Sequence, residues 1–143
     1  TPDHRVGIHV RRGDYLLHPG KHPVVTMRYI NSAINYFNNL GYWQFYVFSN
    51  DMDWCRQHIN SEIGNGNTFS RFMYRTAGES ELADMTELSG CAHHILSNST
   101  HGIWAHILNQ NPDKKVVAPE CWFGEEYSNL DPRDIYPPGC VKL

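Results

Sequence analysis

The sequence lacks the excess of basic residues that a nucleic-acid-binding surface requires. Its 143 residues include 12 Lys and Arg against 15 Asp and Glu, which gives a formal net charge of −3 at pH 7. A general nucleic-acid binder neutralises phosphates with a strongly basic face, and this charge balance argues against that class. An anion that binds to this chain must therefore be held by a local cluster of cationic groups.

Long apolar runs and the common metal-binding spacings are missing as well. No apolar stretch approaches the roughly 20 residues of a membrane-spanning helix. The cysteines form no C-x-x-C pair and the histidines no H-E-x-x-H set, so we expect no metal site. The four cysteines fit either reduced thiols or one or two disulfides. Cys55 and Cys91 are predicted to be buried thiols on apolar helix faces.

The start of the chain looks like an internal point of a longer protein. It carries no signal peptide and begins with Thr1-Pro2, so we expect a missing segment upstream. The 143 residues themselves suit one domain with a core of its own.

Strand-like and helix-like patterns alternate along the chain. The predicted strands are residues 5–11, 43–48, 68–74, 93–98 and 114–119, and a turn is predicted at 64–67. Helices fill the intervals, with Thr26, Asp51 and Thr100 as N-caps. The positions predicted to face the core are Met27, Ile30, Ile34 and Phe37, then Met52, Cys55 and Ile59, then Leu82, Met85 and Leu88, then Ile103, Trp104, Ile107 and Leu108.

This alternation predicts an α/β fold. Apolar strands that alternate with helices form a doubly wound, mostly parallel sheet, here of about five strands, with helices on both faces. Residues 1–119 are expected to form this domain, and residues 120–143 an irregular tail packed on it. Ligands bind beyond the carboxyl ends of such strands, which selects residues 9–15, 49–51 and 98–100.

The stretch HVRRGDYLL follows the first predicted strand. Arg11 and Arg12 make a plausible phosphate clamp, because guanidinium is planar, always charged and forked, and Asp14 can orient one of them. Two alternatives are open. One is a surface salt bridge, which is the commoner origin of an arbitrary RRGD sequence. The other is an adhesion tripeptide at residues 12–14, which requires a displayed loop that the preceding strand disfavours.

The stretch SNST, residues 97–100, precedes the last predicted helix. A helix N-terminus attracts phosphate through its free N–H groups, and the hydroxyls of Ser99 and Thr100 add donors. Plain helix capping is the alternative. Asn98-Ser99-Thr100 is also a glycosylation sequon, which we expect to carry no glycan because it lies at a binding site.

Several motifs in the same order resemble those of the α-1,2-fucosyltransferases. VGIHVRRGDYL is similar to the family's H-x-R-R-x-D motif, and FYVFSNDMDWC to its next strand and helix. LADMTELSGCAHHILSNSTHGIWAHIL, VVAPECWF and DIYPPGCVKL resemble the following segment, the closing strand and the tail. Two departures are Cys140, where bacterial-like members usually carry Trp, and residues 101–105, which are closer to the animal-type GIWA.

The resemblance implies an inverting enzyme of the two-lobed, GT-B type that moves L-fucose from GDP-fucose to a terminal galactose in an α-1,2 linkage. This chain would be the C-terminal, donor-binding lobe, and its partners would be GDP-fucose, a galactose-terminated acceptor and the missing N-terminal lobe of the same polypeptide. The compartment would be the Golgi lumen, with a membrane anchor outside this chain, in a eukaryote. In a bacterium it would be the cytoplasm or the inner-membrane surface.

The resemblance also implies roles for individual residues. As catalytic candidates, Arg11 would bind the β-phosphate, Arg12 would support it or the local fold, and Asp14 is a possible base. As substrate-binding candidates, His9 would lie beside the nucleotide and Asp84 would read the guanine N–H groups. The remaining substrate-binding candidates are Asn98, Ser99 and Thr100 at the diphosphate, with Ser49, Asn50 and Asp51 as weaker ones. Because the two arginines supply positive charge, no metal or other cofactor is expected.

Two further functions stay open. The chain could be a nucleotide-sugar-binding or glycan-binding module without turnover of its own. It could also belong to a related fucosyltransferase that makes an α-1,6 linkage or modifies protein.

Overall fold

The structure is a computed structural model, and it describes residues 4–41, 43–59, 72–75 and 80–143. The strands are β1 (Arg5–Val10), β2 (Gln44–Ser49), β3 (Phe72–Tyr74), β4 (His93–Ile95), β5 (Val116–Ala118) and β6 (Val141–Lys142). The helices are α1 (Met27–Asn38), α2 (Met52–His58), α3 (Glu81–Ser89) and α4 (Thr100–Leu108), with short 3-10 helices at Gly13–Leu17 and Glu125–Tyr127. The predicted turn at 64–67 lies outside the described residues.

The strands form one parallel sheet in the order β3-β2-β1-β4-β5-β6. The predicted doubly wound, Rossmann-like α/β fold is confirmed. The strand order reverses between β1 and β4, and in such sheets the crevice at this reversal is the ligand site. One detail differs from the expectation, because the tail is not wholly irregular: β6 pairs with β5 and makes a sixth strand.

The two faces of the sheet are covered by different helices. Ile8 and its neighbours along β1 pack with Ile34 of α1 and Cys55 of α2 in one buried cluster. The residue before Ile8, Gly7, faces the other side of the sheet, and a Cβ atom there would lie 2.6 Å from Leu88 Cδ1 of α3. A larger residue at this position would require the Leu88 side chain to move. Helices α3 and α4 cover this second face.

The helical core positions were predicted well in α1 and poorly in α4. Ile30, Ile34 and Phe37 are fully buried. In α4, by contrast, Ile103 is buried but Trp104, Ile107 and Leu108 are about half exposed. The face of α4 toward the sheet instead consists of residues with small or polar side chains, namely Gly102, Ala105 and His106. Small residues let the helix axis come close to the sheet. A prediction that looks only for large apolar residues at helical spacing does not identify them.

Smaller corrections concern single residues. Leu82 is 72% exposed on α3, so the prediction that it faces the core is wrong. The N-cap of α4 is Ser99, whose hydroxyl accepts a hydrogen bond from the His101 N–H, and Thr100 is the first helical residue. Asp51 is confirmed as the N-cap of α2.

The four cysteines are free thiols in the structure, and Cys55 and Cys91 are both buried. Cys91 lies just after α3 rather than on a helix face, which corrects that part of the prediction. Over the described ranges, no helix combines the length and the apolar character of a membrane span.

A buried pair of histidines joins β4 to α4. His94 Nε2 lies 2.6 Å from the Leu88 carbonyl oxygen, and its Nδ1 lies 3.2 Å from His106 Nδ1. A carbonyl only accepts, so Nε2 carries the hydrogen of His94, and His106 Nδ1–H donates to His94 Nδ1. Burial lowers the pKa of His94 to about 3 and that of His106 to about 4, so the folded pair stays neutral.

We expect this pair to make the fold sensitive to acid. Histidine in the unfolded chain gains a proton at about pH 6.5, whereas the folded pair stays neutral at that pH. Acid therefore favours the unfolded state, and the free energy of unfolding should fall as the pH falls. Each such histidine can remove at most about 1.4 kcal/mol per pH unit. Urea unfolding between about pH 7.5 and about pH 5 measures this slope. His106→Gln should flatten it and the exposed His18→Gln should not; equal slopes in both variants would contradict the assignment.

Candidate functional site

A cleft of about 720 Å³ opens at the carboxyl ends of β1 and β4. Eight of the eleven residues proposed from the sequence line it, namely His9, Arg11, Ser49, Asn50, Asp84, Asn98, Ser99 and Thr100. The other three, Arg12, Asp14 and Asp51, do not line it. The cleft therefore brings together all three chain segments that the strand-end rule selected.

Ser97 ties the ends of the two central strands together. Its hydroxyl donates to the His9 carbonyl oxygen at 2.7 Å and accepts from the Arg11 N–H at 3.0 Å. This clasp fixes the backbone from which the Arg11 side chain enters the cleft. Sequence reasoning missed Ser97, since a serine at a strand end carries no distinguishing pattern.

Arg11 is held in a defined orientation at the cleft. Its Nε and Nη2 both donate to the Asp14 carboxylate at 3.1 Å, and its guanidinium lies over the Tyr15 ring at 5.5 Å from the centroid. Over the ranges that the structure covers, Nη1 has no acceptor, so it remains available to a ligand. The same bidentate contact lowers the pKa of Asp14, which makes this exposed carboxylate a poor base.

Arg12 points away from the cleft. Its Nε donates to Asp51 at 3.2 Å, and its guanidinium lies 4.0 Å from the centroid of the Trp54 ring. These contacts attach the turn after β1 to α2. Of the two roles proposed for Arg12, the geometry fits support of the local fold and gives no contact with a ligand in the cleft.

The segment after β2 braces the same turn. Ser49 Oγ donates to the Val10 carbonyl oxygen at 2.7 Å, and Asn50 Oδ1 accepts from the Arg12 N–H at 2.9 Å. Asp51 binds the Arg12 side chain and also caps α2. The three weaker candidates from the sequence therefore hold the arginine turn in position, and Ser49 and Asn50 in addition border the cleft.

The N-terminus of α4 forms the opposite wall. Its first N–H groups have no partners within the helix, and Ser99 satisfies only that of His101. Asn98 is 2% exposed, and its Nδ2 donates to the carbonyl oxygens of Pro23 and Trp122, each at 2.9 Å. In the folded protein both hydrogens of this side-chain nitrogen are thus engaged, and the absence of a glycan at the sequon stays a prediction.

Two carboxylates of α3 stand at one end of the cleft. Asp84 and Glu81 both line it, and Asp84 Oδ1 accepts from Arg75 Nε at 3.2 Å. Arg75 also pairs with Glu87 Oε1 at 2.7 Å. Sequence reasoning missed both the Arg75 pair and Glu81, although Glu81 lies three residues before Asp84 and thus on the same helix face.

Aromatic residues line the other end of the cleft. The Tyr15 ring stacks on His22 at a centroid distance of 4.8 Å, and Tyr15 OH donates to the Asn98 carbonyl oxygen at 2.9 Å. Trp122 and Phe123 of the tail complete this wall. Sequence reasoning missed them, and the aromatic richness of the tail was the only available signal.

Two histidines lie between these ends. His9 is 7% exposed at the end of β1, and the His101 ring stacks on it at 5.0 Å between centroids. Burial, the largest cause, lowers the pKa of His9 to about 3, so its ring is neutral. In the described part of the chain, no group of three or more His, Cys, Asp or Glu residues is arranged to hold a metal ion.

Comparison with known proteins gives a consistent family. Residues 1–143 match the family described as glycosyl transferase family 11. An alpha-1,2-colitosyltransferase of Escherichia coli is 34% identical over an alignment that covers 89% of this chain and 44% of that protein. The galactoside alpha-(1,2)-fucosyltransferase 2 of Bos taurus is 32% identical over an alignment that covers 95% of this chain and 43% of that protein.

A third relative is similar to the same extent. The O-antigen biosynthesis glycosyltransferase WbnK of Escherichia coli is 35% identical over an alignment that covers 86% of this chain and 41% of that protein. The chain thus spans less than half the length of these relatives. No solved structure matches the chain significantly.

Proposed function

Because the chain belongs to glycosyl transferase family 11, we propose that it forms the donor-binding part of an inverting α-1,2-fucosyltransferase that uses GDP-fucose. The observation that carries the proposal is the convergence of Arg11 and the N-terminus of α4 on one cleft at the reversal of strand order. A diphosphate needs cationic and N–H donors fixed in advance, and both are present there.

The reaction places its charge where these donors lie. As the bond between the fucose C1 and the phosphate oxygen breaks, negative charge grows on the leaving β-phosphate. Donors that are oriented in advance stabilise that charge without reorganisation. Asp14, Asn50 and Ser97 supply this orientation for Arg11 and its turn, while Ser99 and Thr100 approach from α4. The bond from the acceptor oxygen to C1 forms on the opposite face of the sugar, which turns the β-linked donor into an α-linked product.

The two ends of the cleft suit different parts of the donor. We assign the end with Asp84 and Glu81 to the guanine base, because carboxylates accept hydrogen bonds from its N1–H and amino group. The aromatic end near Tyr15 and Phe123 is assigned to the sugar and the approaching acceptor. The acceptor in this proposal is a terminal galactose, and the bovine relative, a galactoside alpha-(1,2)-fucosyltransferase, supports a galactoside acceptor. Asp14 stays the possible base for the acceptor proton that the sequence suggested, but its ion pair with Arg11 lowers its pKa and weakens its basicity.

The part of each relative that this chain does not cover matters for catalytic turnover in our proposal. The matched part is less than half of each relative, so we propose that the rest of the polypeptide supplies a second lobe in a GT-B arrangement. The competing proposal is a nucleotide-sugar-binding module without turnover of its own. Transfer of fucose to a galactoside by this chain alone would exclude the second proposal, and donor binding without transfer would favour it.

Binding should be selective for guanine nucleotides and independent of metal. We expect calorimetry to detect GDP and GDP-fucose, with ADP and UDP weaker by roughly tenfold or more, since a mismatched base leaves a carboxylate unpaired. Excess EDTA should leave the affinity unchanged, because Arg11 and α4 provide the charge. A complete loss in EDTA that Mn²⁺ reverses would contradict metal independence, and equal affinity for all four nucleotides would contradict the proposed donor.

A further inference from the structure

His101 lines the cleft without a role in the proposed chemistry. It is the second residue of α4, where its N–H is already bonded to Ser99 Oγ. Its ring lies against His9, with 27° between the two ring planes. The side chain of His101 therefore stands at the same helix N-terminus that faces the proposed diphosphate.

His9 provides a second and independent observation at this place. Its ring is more than nine-tenths buried, and its Nδ1 has no hydrogen-bond partner in the described part of the chain. A Cβ atom added to Gly102 would lie 3.4 Å from this Nδ1, so the unpaired nitrogen points into the first turn of α4. The neutral ring of His9 thus stacks against the ring of His101 and holds it at the start of the helix.

Charged groups from two other elements face His101. Arg11, at the end of β1, repels a proton on the ring, and Glu81 and Asp84 of α3 attract one. Burial outweighs the carboxylates and lowers the pKa of His101 below the usual 6.5. His9 is neutral and adds no charge of its own. His101 is therefore an uncharged imidazole near neutral pH, and a negative charge brought next to it favours the protonated form.

On the basis of the proposed function, we propose that His101 takes up a proton when a nucleotide-sugar diphosphate binds and then acts as a second cation beside Arg11. The diphosphate brings negative charge next to the imidazole, and a nearby opposite charge favours the protonated ring. Arg11 needs such help, because Asp14 compensates part of its charge. The same imidazolium stabilises the additional charge that develops on the β-phosphate when the sugar leaves.

Linkage makes this proposal measurable. If binding takes up a proton, affinity must rise as the pH falls, by at most about tenfold per pH unit for one proton. GDP-fucose is the suitable ligand, since each of its phosphates carries one ester and one anhydride linkage and therefore has no proton that titrates near neutral pH. GDP is unsuitable, because its terminal phosphate itself gains a proton near about pH 6.

The experiment is calorimetry of GDP-fucose binding at about pH 6, 7 and 8, in two buffers that differ in ionisation enthalpy. We expect uptake approaching one proton per ligand near neutral pH. His101→Phe keeps a ring over His9 but cannot be protonated, so it should bind with pH-independent affinity, weaker than the unmodified protein below neutral pH. His101→Lys carries a constant charge and should bind without proton uptake.

His58→Phe is the matched control, since His58 also stacks on an aromatic ring, that of Trp54, but outside the cleft. It should retain the full proton uptake. If the unmodified protein binds GDP-fucose without proton uptake, the proposed role of His101 is wrong while the proposed function stands. Proton uptake that persists in His101→Phe would have the same meaning. Failure of GDP-fucose to bind at any pH would overturn the proposed function together with this inference.

Discussion

Replacing Arg11 with alanine should remove most of the affinity for GDP while the protein remains folded. Hydrogen bonds to charged groups contribute about 1.5–3 kcal/mol, so the dissociation constant should rise roughly tenfold to a hundredfold. Where transfer can be assayed, loss of one preorganised donor should cost about 10²–10³-fold in rate. The fold should tolerate the change, because the side chain lies at the sheet edge and outside the core clusters.

Two further variants make this result specific. Arg11→Lys should also bind poorly, since an ammonium group is a compact point charge and lacks the planar fork that binds both Asp14 oxygens and leaves Nη1 for phosphate. Arg133→Ala is the matched control. Arg133 also pairs with a nearby aspartate, Asp131, but its side chain is 84% exposed and lies outside the cleft. Calorimetry with GDP and thermal unfolding should be measured for all three proteins.

Unchanged GDP affinity in Arg11→Ala would contradict the phosphate role. It would return attention to residues 12–14 as an adhesion tripeptide, which competition with a short peptide can test. The contacts of Arg12 with Asp51 and Trp54 disfavour that alternative, since they hold the arginine against α2 instead of displaying it.

The fold was predictable from the sequence because its signals are local. Apolar strands such as residues 43–48 and the helical spacing of Ile30, Ile34 and Phe37 each specify one element. The parallel sheet and its ligand-binding edge follow from the order of those elements. The strand in the tail, Val141–Lys142, gave no such signal, because two residues are too few to show a period and their pairing depends on β5.

The candidate site was predictable only in part. The sequence indicated which segments meet, but not which side chains turn into the cleft. Arg11 and Arg12 are adjacent and chemically identical, yet only the partners Asp14 and Asp51 decide that the first faces the ligand and the second faces α2. Likewise, the approach of His101 to His9 depends on the close packing of Gly102 against Leu96, which no local pattern reveals.

The second large effect concerns Asp84 and the choice of base. A carboxylate here can accept from guanine N1–H and from the amino group together. Adenine has no N1–H and would leave the acid desolvated and unpaired, at a cost of about 1–3 kcal/mol. GDP should therefore bind roughly tenfold to a hundredfold more tightly than ADP. Asp84→Asn should shrink this ratio, because an amide oxygen is a weaker acceptor, and Asp84→Ala should weaken GDP more than ADP.

The ion pair with Arg75 requires a control, since losing it could weaken both nucleotides by disturbing α3. Glu87→Gln supplies that control: Glu87 binds the same arginine at 2.7 Å but does not line the cleft. It should leave the GDP-to-ADP ratio unchanged. Glu81→Gln tests the neighbouring carboxylate. If the GDP-to-ADP affinity ratio falls in Glu81→Gln but not in Asp84→Asn, the carboxylate that binds the guanine base is Glu81. If Asp84 only stabilises the start of α3, its variants will lose affinity for GDP and ADP equally, or not at all, while the melting temperature falls.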